Sequence, residues 1–176
     1  MNGKIATGSL CGALALILAA APVRAAGAEE PTVDLARYMG DWYEVSHLPN
    51  YPQRGCVDTT VHYRLAADGG FDLVNSCVKD GKLKEYKGRA RPTPPGSATK
   101  FRVRFYAFIG SDYWILDLDP DYRWAAVGNA KRDQFWVISR TRALDDATYQ
   151  GILARARARG YDLAKLEPTV LTAAPR

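Results

Sequence analysis

The chain has 176 residues, 47% of them hydrophobic, and a formal net charge of +5. That is enough apolar material for one globular domain, and no second domain is needed. The charge is modest and interleaved with Asp and Glu, which excludes a nucleic-acid partner. No serine stands in a Gly-x-Ser-x-Gly setting, and the only histidines are His47 and His62. Hydrolase, haem and metal chemistry therefore have no motif to rest on, and no cofactor or metal is expected.

The first residues are expected to be an export signal rather than part of the fold. Lys4 precedes an apolar stretch over 5–21, and Val23-Arg24-Ala25 and Ala26-Gly27-Ala28 both fit the small-x-small pattern of a cleavage point. Residues 1–28 are read as a signal peptide, cleaved after Ala25 or Ala28, and 29–176 as a single domain. Loss of Lys4 and Arg24 lowers the net charge from +5 to +3. Leu10, not a small residue, precedes Cys11, and only six residues separate Cys11 from Lys4. This favours a soluble periplasmic or secreted protein, with an outer-membrane lipoprotein as the alternative. Export leaves Cys56 and Cys77 in an oxidising compartment. They flank a predicted hairpin, so a bridge between them is expected, closing a loop of about twenty residues.

Along the mature chain, Thr32 can cap a short helix over 33–39, ended by Gly40. A strand over 41–48 is stopped by Pro49-Asn50-Tyr51-Pro52. The next strand, 56–65, places Val57, Thr59, Val61, Tyr63 and Leu65 on one side and His62 on the other. The Asp68-Gly69-Gly70 turn leads into a strand through Phe71, Leu73, Asn75 and Cys77. Asp80-Gly81 turns the chain into a fourth strand, ending near Arg91 before a proline cluster. Strands over 101–106, 113–118, 122–128 and 134–140 follow. The period then changes: Asp145 or Asp146 can cap a helix over 147–159, with Tyr149, Ile152, Leu153 and Ala156 on one face. The tail, 163–172, can add a final short strand. Eight short, evenly spaced strands and one helix predict an all-β fold: an eight-stranded antiparallel up-and-down barrel with the helix packed outside.

Closure of such a barrel brings its first and last strands together. Arg140 can then lie on the Trp42 ring and close one end, a contact worth about 0.5–2 kcal/mol. Parity from Arg140 puts Ile138 and Trp136 inside, and Phe135 and Val137 outside under the helix. Trp42 and Glu44 face inward on the first strand, which sends His47 outward.

The motifs resemble those of a known family. Gly40-Asp41-Trp42-Tyr43-Glu44 looks like the first lipocalin signature, Leu118-Asp119-Pro120-Asp121-Tyr122 like a degenerate second, and Ser139-Arg140-Thr141 like the third. The resemblance runs from Val33 to about Thr169 and is strongest to bacterial lipocalins related to apolipoprotein D. It implies a cup that holds a small apolar ligand. It also favours Tyr113 and Ile115 facing inward on the sixth strand, and Ala125 and Val127 on the seventh.

The expected ligand wall is Val61, Tyr63, Leu73, Asn75, Phe101, Val103, Phe105, Tyr113, Ile115, Trp136 and Ile138. Gly88 and Ala90 leave volume, and Tyr51 sits in the first long loop as lid or as plain surface. The expected function is extracytoplasmic storage or transport of fatty acids, lysophospholipids or similar amphiphiles for the cell envelope. Rim basic residues would meet an anionic head group. A membrane-surface association and a homodimer are both left open. No enzyme is expected. The alternative is a lipocalin-fold enzyme acting on an isoprenoid or oxidised lipid, for which Glu44 and Asp117 form the one conceivable carboxylate pair. A salt bridge from Glu44 to Arg140 is the preferred role for that glutamate. A filled barrel serving as an interaction module is the remaining option.

Overall fold

The computed structural model describes residues 30–106 and 109–172. The expected signal peptide, its expected cleavage points and Cys11 lie outside the described residues. A short helix, α1 (Leu35–Tyr38), leads into β1 (Gly40–His47), β2 (Val57–Leu65), β3 (Phe71–Lys79), β4 (Lys82–Pro92), β5 (Lys100–Tyr106), β6 (Ile109–Leu118), β7 (Trp124–Gly128) and β8 (Phe135–Ser139). Then come α2 (Asp146–Ala158) and β9 (Glu167–Pro168).

Each strand pairs antiparallel with its successor, and β1 pairs with both β8 and β2. Tyr43 sits opposite Ser139 on one side and Thr60 on the other, which closes the eight strands into a barrel. β9 adds two residues to the outer part of β1, Pro168 facing Ser46 and Glu167 facing His47. Closure leaves no free edge between first and last strands, the usual hazard of an open sheet.

The alternation in the sequence divides the apolar residues into two clusters. One fills the barrel: Trp42, Val61, Tyr63, Phe71, Leu73, Phe101, Val103, Ile115 and Ile138 among others. The other lies between the barrel and α2, where Ile152, Leu153 and Ala156 pack against Phe135, Val137, Ala126 and Leu116. Asp145 caps α2, its Oδ1 accepting from Thr148 N at 2.9 Å. Tyr161, just past this helix, donates to the Asn129 carbonyl at 2.8 Å. Gly128 makes room for it, since a Cβ there would meet the Tyr161 hydroxyl at 2.3 Å.

Several boundaries differ from the sequence expectation. α1 is shorter than 33–39, and its cap is Asp34 rather than Thr32: Asp34 Oδ1 accepts from Ala36 N and Arg37 N. A carboxylate two residues nearer to the free amides outcompetes the threonine hydroxyl. Gly40 begins β1 with φ of +92°, a left-handed turn that glycine adopts without strain. β6 starts four residues earlier than expected, at Ile109, while β7 begins at Trp124 because Tyr122 holds a positive φ of 61°.

Strand order defines two ends. The β2–β3, β4–β5 and β6–β7 connections and Arg140 share one end, which α1 covers. The β1–β2 loop and the β3–β4, β5–β6 and β7–β8 connections share the other. The Cys56–Cys77 disulfide, with Cα atoms 5.5 Å apart, ties the β1–β2 loop to β3 at that second end.

Candidate ligand-binding cup

The closed end is built around Trp42. Its ring is fully buried, and its Nε1 donates to the Tyr38 carbonyl at 2.9 Å. The Arg140 guanidinium lies over that ring, with Cζ 3.7 Å from the centroid. Arg140 also donates to the carbonyls of Asp41, Arg37, Tyr38, Met39 and Tyr122, at 2.7, 3.0, 3.3, 2.8 and 3.4 Å. The Arg37, Tyr38 and Met39 carbonyls sit where α1 ends, so the cation satisfies acceptors the helix leaves open and meets the negative end of its dipole. One side chain thus fastens helix, first strand and last strand together.

Above this plug the barrel is aromatic. Phe71 and Phe101 meet edge to face at 4.8 Å, and Tyr63 meets Phe71 at 5.2 Å. Tyr38 stacks on Tyr63 at 5.4 Å. The Tyr113 hydroxyl lies 2.6 Å from that of Tyr38 and 2.7 Å from that of Tyr63. Burial raises all three phenol pKa values well above the ordinary range, so the hydroxyls stay neutral.

The structure brings Val61, Tyr63, Leu73, Phe101, Val103, Phe105, Tyr113, Ile115, Trp136 and Ile138 into the barrel cluster. Asn75 occupies the inner register of β3, opposite Val61 and Tyr86. The wall is not uniform with depth. Phe71, Phe101 and Ile115 are sealed, whereas Asn75, Phe105, Tyr113 and Trp136 point inward and keep intermediate exposure. Of these, Asn75, Phe105 and Trp136 lie toward the end away from Arg140. The volume expected at Gly88 is not free: Phe105 and Leu73 occupy it, their nearest atoms 3.0 and 3.1 Å from where a Cβ would stand.

The open end carries a polar knot that periodicity did not reveal. β1 slips register between Glu44 and Ser46. This bulge inverts the parity beyond it: Ser46 pairs with outward Val137, and His47 pairs with inward Trp136. His47 therefore faces inward, opposite to the expectation from simple alternation. Glu44 is 4% exposed and does not reach Arg140. It accepts from Gln53 Nε2 at 2.5 Å and Thr169 Oγ1 at 2.7 Å, and His47 Nδ1 lies 2.9 Å from its Oε1. Gln53 Oε1 in turn accepts from Trp136 Nε1 at 2.9 Å and from Asn50 Nδ2. The Glu44 carboxylate raises the His47 pKa above its ordinary value, against the burial that would lower it.

A second bulge, between Ile115 and Asp117, sends Asp117 to the outer face of β6. There it accepts from Arg155 Nε of α2 at 2.5 Å. The barrel wall separates Glu44 from Asp117, so the carboxylate pair required by the enzyme alternative is not assembled. His62 stays outside, 2.7 Å from Asp41 Oδ1. Tyr51 is 82% exposed at the tip of the β1–β2 loop. Gln53, Thr169 and Tyr38 were missed as inner-wall groups. The first two sit in loop and tail, where no period assigns a face. Tyr38 had a signal, four residues ahead of Trp42 on a predicted helix.

The barrel, its plugged end and its outside helix are the frame in which comparison with known proteins is informative. The family model described as a lipocalin-like domain matches residues 33–170. This chain belongs to the lipocalin family. It is 35% identical over 147 residues to temperature-induced lipocalin-1 of Arabidopsis thaliana, covering 78% of each chain. It is 32% identical over 134 residues to the outer membrane lipoprotein Blc of Escherichia coli strain K12, covering 75% of this chain and 76% of Blc. Among solved structures, lobster apocrustacyanin A1 superposes with a TM-score of 0.64 at 18% identity, covering 78% of this lipocalin and 79% of the lobster protein. That last likeness speaks for the fold alone.

Proposed function

We propose that this lipocalin is an extracytoplasmic carrier that stores or transports a fatty acid, a lysophospholipid or a similar amphiphile for the cell envelope. The observation that carries the reading is the change of character along the barrel axis. A sealed aromatic floor lies below, and partly exposed Phe105 and Trp136 line the barrel above it. Each methylene buried against such a wall contributes about 0.8 kcal/mol, so a chain of ten or more offsets the cost of association.

The rim suits an anionic head group. Lys82, Lys84 and Arg54 are exposed around the open end, and Lys84 stands opposite Cys77 on the inner register of the β3–β4 hairpin. Exposed Leu83 and Tyr51 beside these cations are the pattern of a surface that touches a membrane while exchanging lipid. The similarity to an outer membrane lipoprotein of Escherichia coli supports an envelope location, and the leader-like sequence over 1–28 supports export.

Native mass spectrometry of the protein purified gently from a host that exports it tests the proposal. The expected spectrum shows a one-to-one adduct with the mass of a fatty acid or lysolipid, on a chain beginning at Ala26 or Glu29. A bare chain that also fails to bind added palmitate or lysophosphatidylethanolamine at micromolar concentration contradicts it.

A further inference from the structure

The outer face of β4 and β5 concentrates positive charge in a way that strand pairing alone disfavours. Arg89 stands opposite Arg104, and Arg91 stands opposite Arg102. Like charges directly opposite each other on neighbouring strands are destabilising. Here two such pairs lie side by side, and with Thr93 they line a cleft of about 400 Å³. The alternating neighbours Ala90, Phe101 and Val103 belong to the barrel core, so the cleft is on the outside of the sheet.

The carboxylates beside this cluster hold half of it and leave the other half open. Asp68 and Asp72 pair with Arg89, at 2.7 Å each. Asp112, opposite Arg102 on β6, accepts from it at 2.9 Å. The residue opposite Arg104 on β6 is Gly110, which offers no side chain. Among the described residues, the Arg104 guanidinium has no ion pair or hydrogen bond. Arg91 approaches Asp68 only to 3.7 Å, beyond hydrogen-bond distance. The buried Nε of Arg89 also lacks an acceptor among the described residues. Two guanidinia are thus fixed in place, and two more line the same cleft with their donors unfilled.

We propose that this cleft binds a phosphate monoester group, at a site separate from the cup. Such a group carries close to two negative charges and three terminal oxygens at neutral pH. It can accept from Arg91 and Arg104 together, whereas a single carboxylate fills one fork. The volume leaves room for part of the molecule that bears the phosphate. Asp68, Asp72 and Asp112 bound the patch, which suits one compact dianion better than a long polyanion. The cleft lies toward the Arg140 end of the barrel, at the opposite end of β4 from Lys82 and Lys84, and does not depend on the carrier reading. The bearer is a soluble phosphate ester or the head group of a phosphatidate lipid, both of which present the same group.

Glycerol 3-phosphate titrated into the purified protein at constant ionic strength is the first probe, read through the arginine Nε–H signals by NMR. The expected result is saturable shifts at Arg91 and Arg104, with a dissociation constant on the order of 1 mM or below. Arg104→Gln and Arg91→Gln should each weaken binding about threefold to tenfold, the range of one charge-assisted contact at an exposed site. Arg157→Gln, on the exposed side of α2, makes the same change in net charge and should leave binding as before. The ligand-free Arg104→Gln variant should keep or raise the midpoint of thermal unfolding, because it relieves a like-charge pair. Vesicles of phosphatidylcholine with and without phosphatidic acid separate the two bearers. Recruitment that requires phosphatidic acid and is lost in Arg104→Gln assigns the site to a lipid head group; saturation by glycerol 3-phosphate without recruitment assigns it to a soluble ester. No saturable response to either probe overturns the site. So does binding that survives Arg104→Gln and Arg91→Gln together, or that Arg157→Gln weakens equally. None of these results bears on fatty-acid binding in the cup, so the site and the carrier reading fail separately.

Discussion

The two ends of the barrel are closed by different physics. At the Arg140 end, a buried indole, a guanidinium with five carbonyl acceptors and a set of edge-to-face rings make one interlocked plug. None of these contacts titrates near neutral pH. At the other end, the β1–β2 loop is held by a disulfide and by Gln53, which bridges a buried carboxylate and an indole N–H. That closure includes a histidine whose charge changes with pH. The carrier proposal uses this asymmetry: a floor fixed by contacts that do not titrate and a mouth whose closure includes one that does.

The largest effect is expected where the floor is densest. Phe71→Ala removes a ring with no exposed surface and should cost about 4 kcal/mol. The midpoint of thermal unfolding should fall by about 10 °C or more for a domain of this size. Phe105→Ala, on the partly exposed wall, should cost no more than half as much while weakening fatty-acid affinity several-fold. If the two variants lost equal stability, the floor and wall would not differ as described.

Opening the disulfide comes next. Cys56 and Cys77 are 21 residues apart, and a loop of that length gives about 3 kcal/mol by chain entropy. The Cys56→Ser/Cys77→Ser double variant should lose about that much in urea titration. Amide exchange should rise first in the β1–β2 loop and not in α1. Arg140→Ala should cost about 2 kcal/mol through the stacked cation and its hydrogen bonds, and exchange should rise in α1 instead. Arg140→Lys should recover only part, since an ammonium cannot both stack flat and reach five carbonyls.

The smallest effect is the pH dependence of the mouth. His47 has its pKa raised by Glu44, so its protonated form is favoured in the folded protein. The contribution is complete below the ordinary histidine value near 6.5 and is lost as pH rises through the higher folded value. Exchange in the 49–56 loop should therefore quicken on the alkaline side, beyond the intrinsic pH effect on exchange. His47→Gln should remove that step. A wild-type loop whose protection does not change across this range would remove the histidine from the closure.

The fold was legible because its signals are periodic. Alternation along 56–65 and 101–106, the turn glycines and the switch to helical spacing after Asp145 specify a barrel with a helix outside. The Trp42 and Arg140 positions were legible from parity at the two ends of the sheet. The inner or outer placement of His47 and Asp117 was not, and the reason is a bulge ahead of each, at the open end in β1 and toward the Arg140 end in β6. One extra residue at Val45 turns His47 inward, and one near Leu116 turns Asp117 outward; no hydrophobic pattern announces either. Gln53 and Thr169 act from segments without a period, so their partnership with Glu44 depends on closure and not on local sequence. The space at Gly88 illustrates a further limit. A small residue on one strand is as readily filled by a neighbour's ring as left empty, and here Phe105 fills it.

On the carrier proposal, an apolar chain occupies the barrel beside Trp136 and stops at the aromatic floor. Titration with a fatty acid spin-labelled near its carboxyl end, read by tryptophan fluorescence, tests this most directly. Saturable quenching at one equivalent, lost in Trp136→Phe and retained in Trp114→Phe, whose ring packs with the outer cluster beneath Lys100, is the predicted result. Unsaturable quenching, or saturable quenching unchanged by Trp136→Phe, would contradict it.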